Sequence, residues 1–360
     1  VKVLSVIGTR PEIVKLSCLF ELLDEKFNHK ILHSGQHYDP NLDRVIFREL
    51  KLKSRVLRLA TGPGDFGDQF SRQIAAIYER MKAEAPTVVV VQGDTNTALA
   101  GAIVAARLKI PVVHVEAGCR SGNRSAPEEQ NRLLIDSISS LHLCPDRQTL
   151  ENLRREGHGR TSFVVGSTTF DAIRRSNTLA DDAILRKLGL AAEGYIVCTL
   201  HRAENLEQLQ AFKEKLAFVN ELAAQLPVVF PAHPRTLALI QEKKVRLSPN
   251  VRILGPLPHL PFTALLRSCR LVVSDSGGIQ EEAAFFNRPC LVLRRETEWV
   301  RLITSGKNFL FPKVRDKERR LARKLLEDDA FYETVRRRRC PESVPGASAK
   351  ILRRIEKTFA

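Results

Sequence analysis

The chain has 360 residues, 57 of them Lys or Arg against 41 Asp or Glu, for a net charge of +16. That excess invites a nucleic-acid partner. The arginines, however, are dispersed, only Arg336 to Arg339 form a compact run, aromatics are 6% and no nucleic-acid module is present, so an anionic small molecule or a solvated basic surface fits better.

A hydrophobic content of 43% suffices for one large or two medium domains, with two the better expectation. The longest apolar runs, TVVVV and RLVVS, are of strand length, well short of the roughly 20 residues of a membrane span. Seven cysteines are scattered without a CxxC pair, several inside apolar segments such as YIVCTL and RPCLVL. This predicts reduced, buried thiols in a cytoplasmic protein and no structural zinc. The opening VKVLSVIGTRPE predicts a short buried strand running into a polar turn, not a signal peptide.

In chain order, VKVLSVIG, HKILHSG, TVVVVQG, VVHVEAG and SFVVGS read as strands. Each precedes a segment of helical spacing, such as EIVKLSCLFELLDEK or ALAGAIVAARLK. A second series follows in YIVCTLH, VVFPAH, VRILGP, LVVSDSG and PCLVLRR. Strands apolar throughout predict parallel sheets covered on both faces. Two series predict an α/β chain of two doubly wound, Rossmann-like domains facing a cleft. Between them GSTTFDAIRRSNTLADD is polar and lacks a strand, which places the boundary between Val165 and Ala180. In such folds ligands sit at the carboxyl ends of the strands.

The residues just after each strand are therefore read together. Gly8-Thr9-Arg10-Pro11-Glu12 follows the first strand, a turn whose backbone N–H groups suit an anion, with Arg10 and Lys15 to add charge. Ser34-Gly35-Gln36-His37 follows the second. Asp94 follows TVVVVQG, where it is either a site acid or a helix cap. Glu116 follows IPVVHV, with Arg120 as a candidate ion-pair partner, and Glu128, Glu129 and Arg132 open a helix at PEEQNR. Burying charge is costly, so carboxylates gathered at the ends of buried strands predict a working site. In the second series LHRAEN places His201, Arg202 and Glu204 at a strand end, and PAHPRT places His233 there. Asp275-Ser276-Gly277-Gly278 ends a strand and opens a helix, with backbone and hydroxyl donors for a phosphate. Glu281 and Glu282, about one turn on, suit the hydroxyls of a ribose, so a nucleotide diphosphate fits better than free phosphate.

Together GTRPEIVK, SGQHYD, QGDTNT, HVEAG with PEEQNR, HRAEN, and DSGGIQEEA followed by RPCLVLRRETE resemble the UDP-N-acetylglucosamine 2-epimerase family, of the non-hydrolysing type, almost end to end. The resemblance implies a GT-B fold, with domains at 1–168 and 169–345 and a helix in 346–360 packing back on the first. It implies interconversion of UDP-GlcNAc and UDP-ManNAc through a 2-acetamidoglucal, without metal or nicotinamide cofactor. It assigns Asp94, Glu116 and Glu128 as acid–base carboxylates and His201 as an aid at the diphosphate. UDP would be held by Arg10, Lys15, Arg132, His233, Ser276, Gly277, Gly278 and Glu282. Gln36 and His37 match a region that binds an activating UDP-sugar in some members.

The resemblance also implies a cytoplasmic homodimer serving cell-surface polysaccharide synthesis, with neither nucleic acid nor membrane as partner. Where many members carry TERPE, this chain has Glu296-Thr297-Glu298-Trp299-Val300. That segment and the loop Arg120-Ser121-Gly122-Asn123-Arg124 resemble the branch acting on UDP-2,3-diacetamido-2,3-dideoxyglucuronate, for whose carboxylate Arg124 is available. The tail CPESVPGAS also departs from the family pattern. A hydrolysing 2-epimerase and a GT-B glycosyltransferase are the competing readings. The acids of the N-terminal half argue against the transferase, which needs no base at C2.

Overall fold

The two runs of apolar strands form two separate parallel sheets. The computed structural model describes residues 1–35, 40–59, 61–62, 64–201, 208–339 and 345–360. The chain divides into two units, one formed by Val1–Arg175 with Val344–Ala360 and the other by Ser176–Ser343.

The first unit holds β1 (Lys2–Ile7), β2 (Asn28–His33), β3 (Val56–Arg58), β4 (Val88–Gln92), β5 (Val112–Val115), β6 (Leu141–Cys144) and β7 (Ser162–Val164). Their order is β3-β2-β1-β4-β5-β6-β7, and all pairs are parallel. Central β4, VVVVQ, is buried at every position, as β-branched residues covered on both faces should be. The helix Asn96–Arg107 lies close on β1 because Gly101 has no side chain there. A Cβ at Gly101 would stand 2.9 Å from Val6 Cγ1.

The polar segment after β7 forms the helix Thr168–Leu179. Its Asp171 accepts the N–H groups of Gly346 and of Ser348, the latter at 2.7 Å, and so caps the last helix, Ala347–Phe359. That helix buries Ile351, Leu352 and Ile355 and packs against the helix Arg10–Lys26.

The second unit holds β8 (Ile196–Thr199), β9 (Val228–Pro231), β10 (Val251–Leu254), β11 (Leu271–Ser274), β12 (Cys290–Val292) and β13 (Asn308–Leu310). Their order is β10-β9-β8-β11-β12-β13, again all parallel. Phe212, Leu216, Phe218, Phe230 and Val273 belong to one core, and Tyr195, Val197, Leu265 and Val272 to another.

Strands β3, β6 and β13 are additions to the sequence reading. β3 and β13 have three residues each, and LHLC in β6 has no β-branched residue. Six described cysteines are free, five of them buried. Among the described residues no helix is long and apolar enough to cross a membrane.

Strand order reverses between β1 and β4 in the first sheet and between β8 and β11 in the second. Adjacent crossovers there run to opposite faces and leave a crevice at the carboxyl ends of the strands. The residues leaving those ends are Gly8 and Gly93 in the first unit, and Leu200 and Asp275 in the second.

Candidate active site

The turn after β1 was expected to offer its amides to an external anion. Instead the chain supplies its own acceptor. Glu12 Oε2 accepts the N–H groups of Gly8 at 3.0 Å and Thr9 at 2.8 Å, and the Thr9 hydroxyl at 2.8 Å. The reason is local: Thr9-Arg10-Pro11-Glu12 has the spacing of a capping box, in which the third helical residue reaches back to the cap. Glu12 Oε1 accepts the Thr95 hydroxyl from the turn after β4 at 3.1 Å. Burial pushes the Glu12 carboxyl up to about 7, against hydrogen bonds from Thr9, Gly8 and Thr95 that favour the charged form. Arg10, the first helical residue, is half-buried.

Asp94 does not cap the helix that follows it. Thr95 does, accepting the Ala98 N–H at 3.0 Å. The Asp94 carboxylate pairs with Arg132 Nη2, while Asn131 Nδ2 holds the Asp94 carbonyl at 2.9 Å. Glu116 pairs not with Arg120 but with Lys15, whose Nζ donates to both carboxylate oxygens at 2.8 and 3.1 Å. Gln92 Nε2 donates to the same carboxylate at 2.7 Å. The Glu116 backbone is left-handed, with φ 70°. Such a conformation costs a non-glycine residue energy and tends to mark functional positions.

Helix Pro127–Ile138 separates the two glutamates of PEEQNR. Glu128 is exposed in the first turn. Glu129 is buried and accepts the N–H groups of Ser121 at 2.9 Å and Gly122 at 3.1 Å, and Arg132 Nη1 at 2.9 Å. Burial alone would raise the Glu129 carboxyl, but the Ser121, Gly122 and Arg132 donors outweigh it and lower it. Glu129 thus folds the loop Arg120–Arg124 onto the helix. Arg124 is exposed.

Asp136 is the hub behind these turns, and no local signal in the sequence marked it. Oδ1 meets His114 Nδ1 at 2.7 Å, and Oδ2 accepts the Gly118 N–H at 3.1 Å and Arg120 Nη2 at 2.7 Å. His114 Nε2 in turn meets the carbonyl of Gly93, next to Asp94, at 2.8 Å. Burial opposes ionisation of Asp136, but His114 and Arg120 prevail and hold it down at about 2. Arg120 also pairs with Glu156 at 2.6 Å.

In the second unit Asp275, fully buried at the end of β11, accepts the His201 N–H at 3.1 Å on each oxygen. His201 Nδ1 also lies 3.1 Å from Asp275 Oδ1, and the ring is 42% exposed. Ser276 is the N-cap position of the helix Gly277–Phe285 and makes no side-chain cap bond. A Cβ at Gly277 would stand 2.4 Å from Glu298 Oε1, whereas Gly278 faces open space. The segment after β12 is tied to this helix: Thr297 Oγ1 donates to Gln280 Oε1 at 2.8 Å, and Arg301 to buried Glu281 at 2.8 Å. Arg294 holds Glu298 at 2.8 Å. Glu282 is half-buried. His233 caps the helix Pro234–Glu242, accepting the Arg235 N–H at 3.2 Å. Gln36, His37, Arg202 and Glu204 lie outside the described residues.

The first unit thus pairs Asp94 with Arg132 and Glu116 with Lys15, each cation reaching from a helix, and Arg10 opens the helix of Lys15. The second brings together His201, Ser276 and Gly277. Glu12, Gln92 and Asp136 are additions: Glu12 was signalled by the capping-box spacing, and Gln92 by a polar residue closing an apolar strand.

A family model described as UDP-N-acetylglucosamine 2-epimerase matches residues 21–356. The UDP-2,3-diacetamido-2,3-dideoxy-D-glucuronate 2-epimerase of Pseudomonas aeruginosa is 36% identical over 91% of this chain and 94% of its own length. The UDP-N-acetylglucosamine 2-epimerase of Methanocaldococcus jannaschii is 38% identical over 85% of this chain and 87% of its own. A crystal structure of the M. jannaschii UDP-GlcNAc 2-epimerase in complex with UDP-GlcNAc and UDP superposes with a TM-score of 0.89 at 35% identity, covering 99% of this chain and 100% of that one. The two parallel-sheet units are those of the GT-B class. The chain belongs to the UDP-N-acetylglucosamine 2-epimerase family.

Proposed function

We propose that the chain interconverts UDP-GlcNAc and UDP-ManNAc. The observation that carries this reading is the pair of acids at the ends of neighbouring strands β4 and β5, Asp94 against Arg132 and Glu116 against Lys15. A carboxylate removes the proton from C2 as the C1–O bond breaks. The bond's electron pair leaves on the β-phosphate oxygen of UDP, and a C1=C2 double bond remains in the 2-acetamidoglucal. On return, the phosphate oxygen adds at C1 and a proton is delivered to the opposite face of C2. The C2 proton is barely acidic, so stabilising the departing diphosphate lowers the barrier most. Arg10, Lys15, Arg132, His233, Ser276, Gly277, Gly278 and Glu282 are proposed to hold UDP, with His201 at the diphosphate. Asp94, Glu116 and Glu128 are proposed as the proton carriers.

The test is incubation with UDP-GlcNAc in deuterated water. Deuterium at C2 together with the manno epimer is the expected result. Retention of protium at C2 by folded protein sinks this substrate. Free N-acetylmannosamine released with UDP would mark a hydrolysing enzyme, and sugar passed to an acceptor a glycosyltransferase.

A second reading is favoured by one observation. The P. aeruginosa relative acts, by its name, on UDP-2,3-diacetamido-2,3-dideoxy-D-glucuronate, and Glu296 to Val300 and Arg120 to Arg124 resemble that branch. The same deuterium experiment with that sugar decides between them. On the family resemblance we also propose a cytoplasmic homodimer that serves cell-surface polysaccharide synthesis, and light scattering tests the dimer.

A further inference from the structure

We infer that Glu12 is a positioning residue for this epimerisation, fastening the turn that carries Arg10 to the turn that carries Asp94; the inference rests on the reaction proposed above. A capping glutamate needs only to reach the cap N–H three residues back. Glu12 does more. Its Oε2 gathers Gly8 and Thr9, and its Oε1 takes the hydroxyl of Thr95, 83 positions along the chain. Thr95 accepts the Ala98 N–H at 3.0 Å, so its own proton is the one given to Glu12.

A second contact docks the same two turns. Gly8 lies so close to the helix after Asp94 that a Cβ would stand 2.1 Å from Thr97 Oγ1 and 2.6 Å from Ser34 Oγ. Asp94 immediately precedes Thr95, and Asn131 spans the Asp94 carbonyl at 2.9 Å and Asn96 Oδ1 at 3.0 Å. The Asp94 turn is thus held by Glu12, through Thr95, and by Asn131. Glu12 itself is buried, so it acts through the turns it holds.

The experiment compares Glu12→Ala, Glu12→Gln, Thr95→Asp and Thr95→Ser by turnover, UDP affinity and amide hydrogen exchange. Glutamine presents one oxygen to Gly8 and Thr9 and an amide N–H to the second lone pair of the Thr95 hydroxyl, so a hydrogen bond still joins the turns, without charge and with donor and acceptor exchanged. Above about pH 8, where the variants are compared and Glu12 is ionised, aspartate at 95 still caps its helix but repels Glu12, and serine keeps both contacts. Displacement on the ångström scale can cost about 100-fold in rate. Glu12→Ala and Thr95→Asp should therefore lower kcat roughly 10- to 100-fold with KM changed less than about threefold. Glu12→Gln and Thr95→Ser should restore kcat to within about threefold.

Peptides containing Gly8–Thr9 and Asp94–Ala98 should both exchange faster in Glu12→Ala and in Thr95→Asp. If only the peptide nearest the substitution responds, the turns are not fastened through Glu12 and the inference falls. It falls equally if kcat is unchanged, or if Glu12→Gln is as impaired as Glu12→Ala. The exchange measurement needs no substrate. Should the wild-type chain turn over no UDP-sugar, the proposed reaction fails, while coupled exchange still decides whether Glu12 joins the turns.

Discussion

Lys15 and Glu116, 101 positions apart, form a two-point ion pair at 2.8 and 3.1 Å. The pair joins the helix after β1 to the end of β5 and places a cation on a candidate proton carrier. That makes Lys15 a partner of the acid as well as a candidate phosphate ligand. The two roles separate by measurement. Lys15→Met should lower kcat by about 10- to 100-fold, with UDP affinity within about threefold of wild type, if its main work is on Glu116. A collapse of UDP affinity in isothermal titration would return Lys15 to the phosphate.

The two neighbouring glutamates of PEEQNR should behave differently. Asp94→Asn, Glu116→Gln and Glu128→Gln each should reduce deuterium incorporation at C2 by about 100-fold or more while UDP still binds. Near-normal exchange in any one removes that residue from acid–base chemistry. Glu129→Ala leaves the Ser121 and Gly122 amides and Arg132 without their shared acceptor, and should cost about 2–4 kcal/mol of stability. Chemical denaturation would show it. Exposed Glu128, replaced by glutamine, should leave the denaturation midpoint unchanged.

Trp299, the single tryptophan of the chain, is 2% exposed and sits beside the proposed diphosphate turn. Its Nε1 lies 3.7 Å from where a Gly277 Cβ would be. UDP binding at Ser276 and Gly277 should therefore change tryptophan emission, giving a titration without a label. Gly277→Ala pushes a methyl onto the Glu298 carboxylate that Arg294 holds, and should weaken that titration about tenfold or more. An emission that ignores saturating UDP would place the nucleotide elsewhere.

Much of the fold was legible because its signals are local. The uniformly apolar TVVVV and LVVS segments gave buried parallel strands, and glycines after strands gave the turns. The strands β3 and β13 are too short to announce themselves, and β6 lacks the β-branched residues that mark its neighbour β5. They are held by the register of their neighbours, as Leu32 sets Leu57 and Leu143 faces Val115.

At the site, the positions of Asp94 and Glu116 were legible as charges after apolar strands, but their partners were not. Lys15 and Arg132 reach their acids only through the fold. The role of Glu12 was missed for a different reason. The turn's N–H groups suit an anion, yet a threonine with a glutamate three residues on already predicts an internal acceptor.

Glu12 also sets a pH signature of stability. The folded chain holds its proton up to about pH 7, while the ordinary carboxyl value is 4.5. Between these values the folded state binds the extra proton. The resulting stabilisation is full below about 4.5, shrinks as pH rises and is lost above about 7, a change on the order of 3 kcal/mol. His259, half-buried and hydrogen-bonded to Ser176 at 2.7 Å, has the opposite sign. Burial lowers it to about 4 from 6.5, so its neutral form stabilises the fold at neutral pH and that stability is lost as pH falls from 6.5 towards 4. The two slopes oppose one another in the wild-type chain between roughly pH 4.5 and 6.5. Glu12→Gln removes one of them. Its stability relative to wild type should rise steadily from about pH 4.5 to 7 and then level off, whatever constant cost the amide adds. His259→Asn should show the reverse trend over its own window. Urea denaturation at a series of pH values checks both, and a pH-independent difference between Glu12→Gln and wild type would mean that Glu12 ionises at its ordinary value.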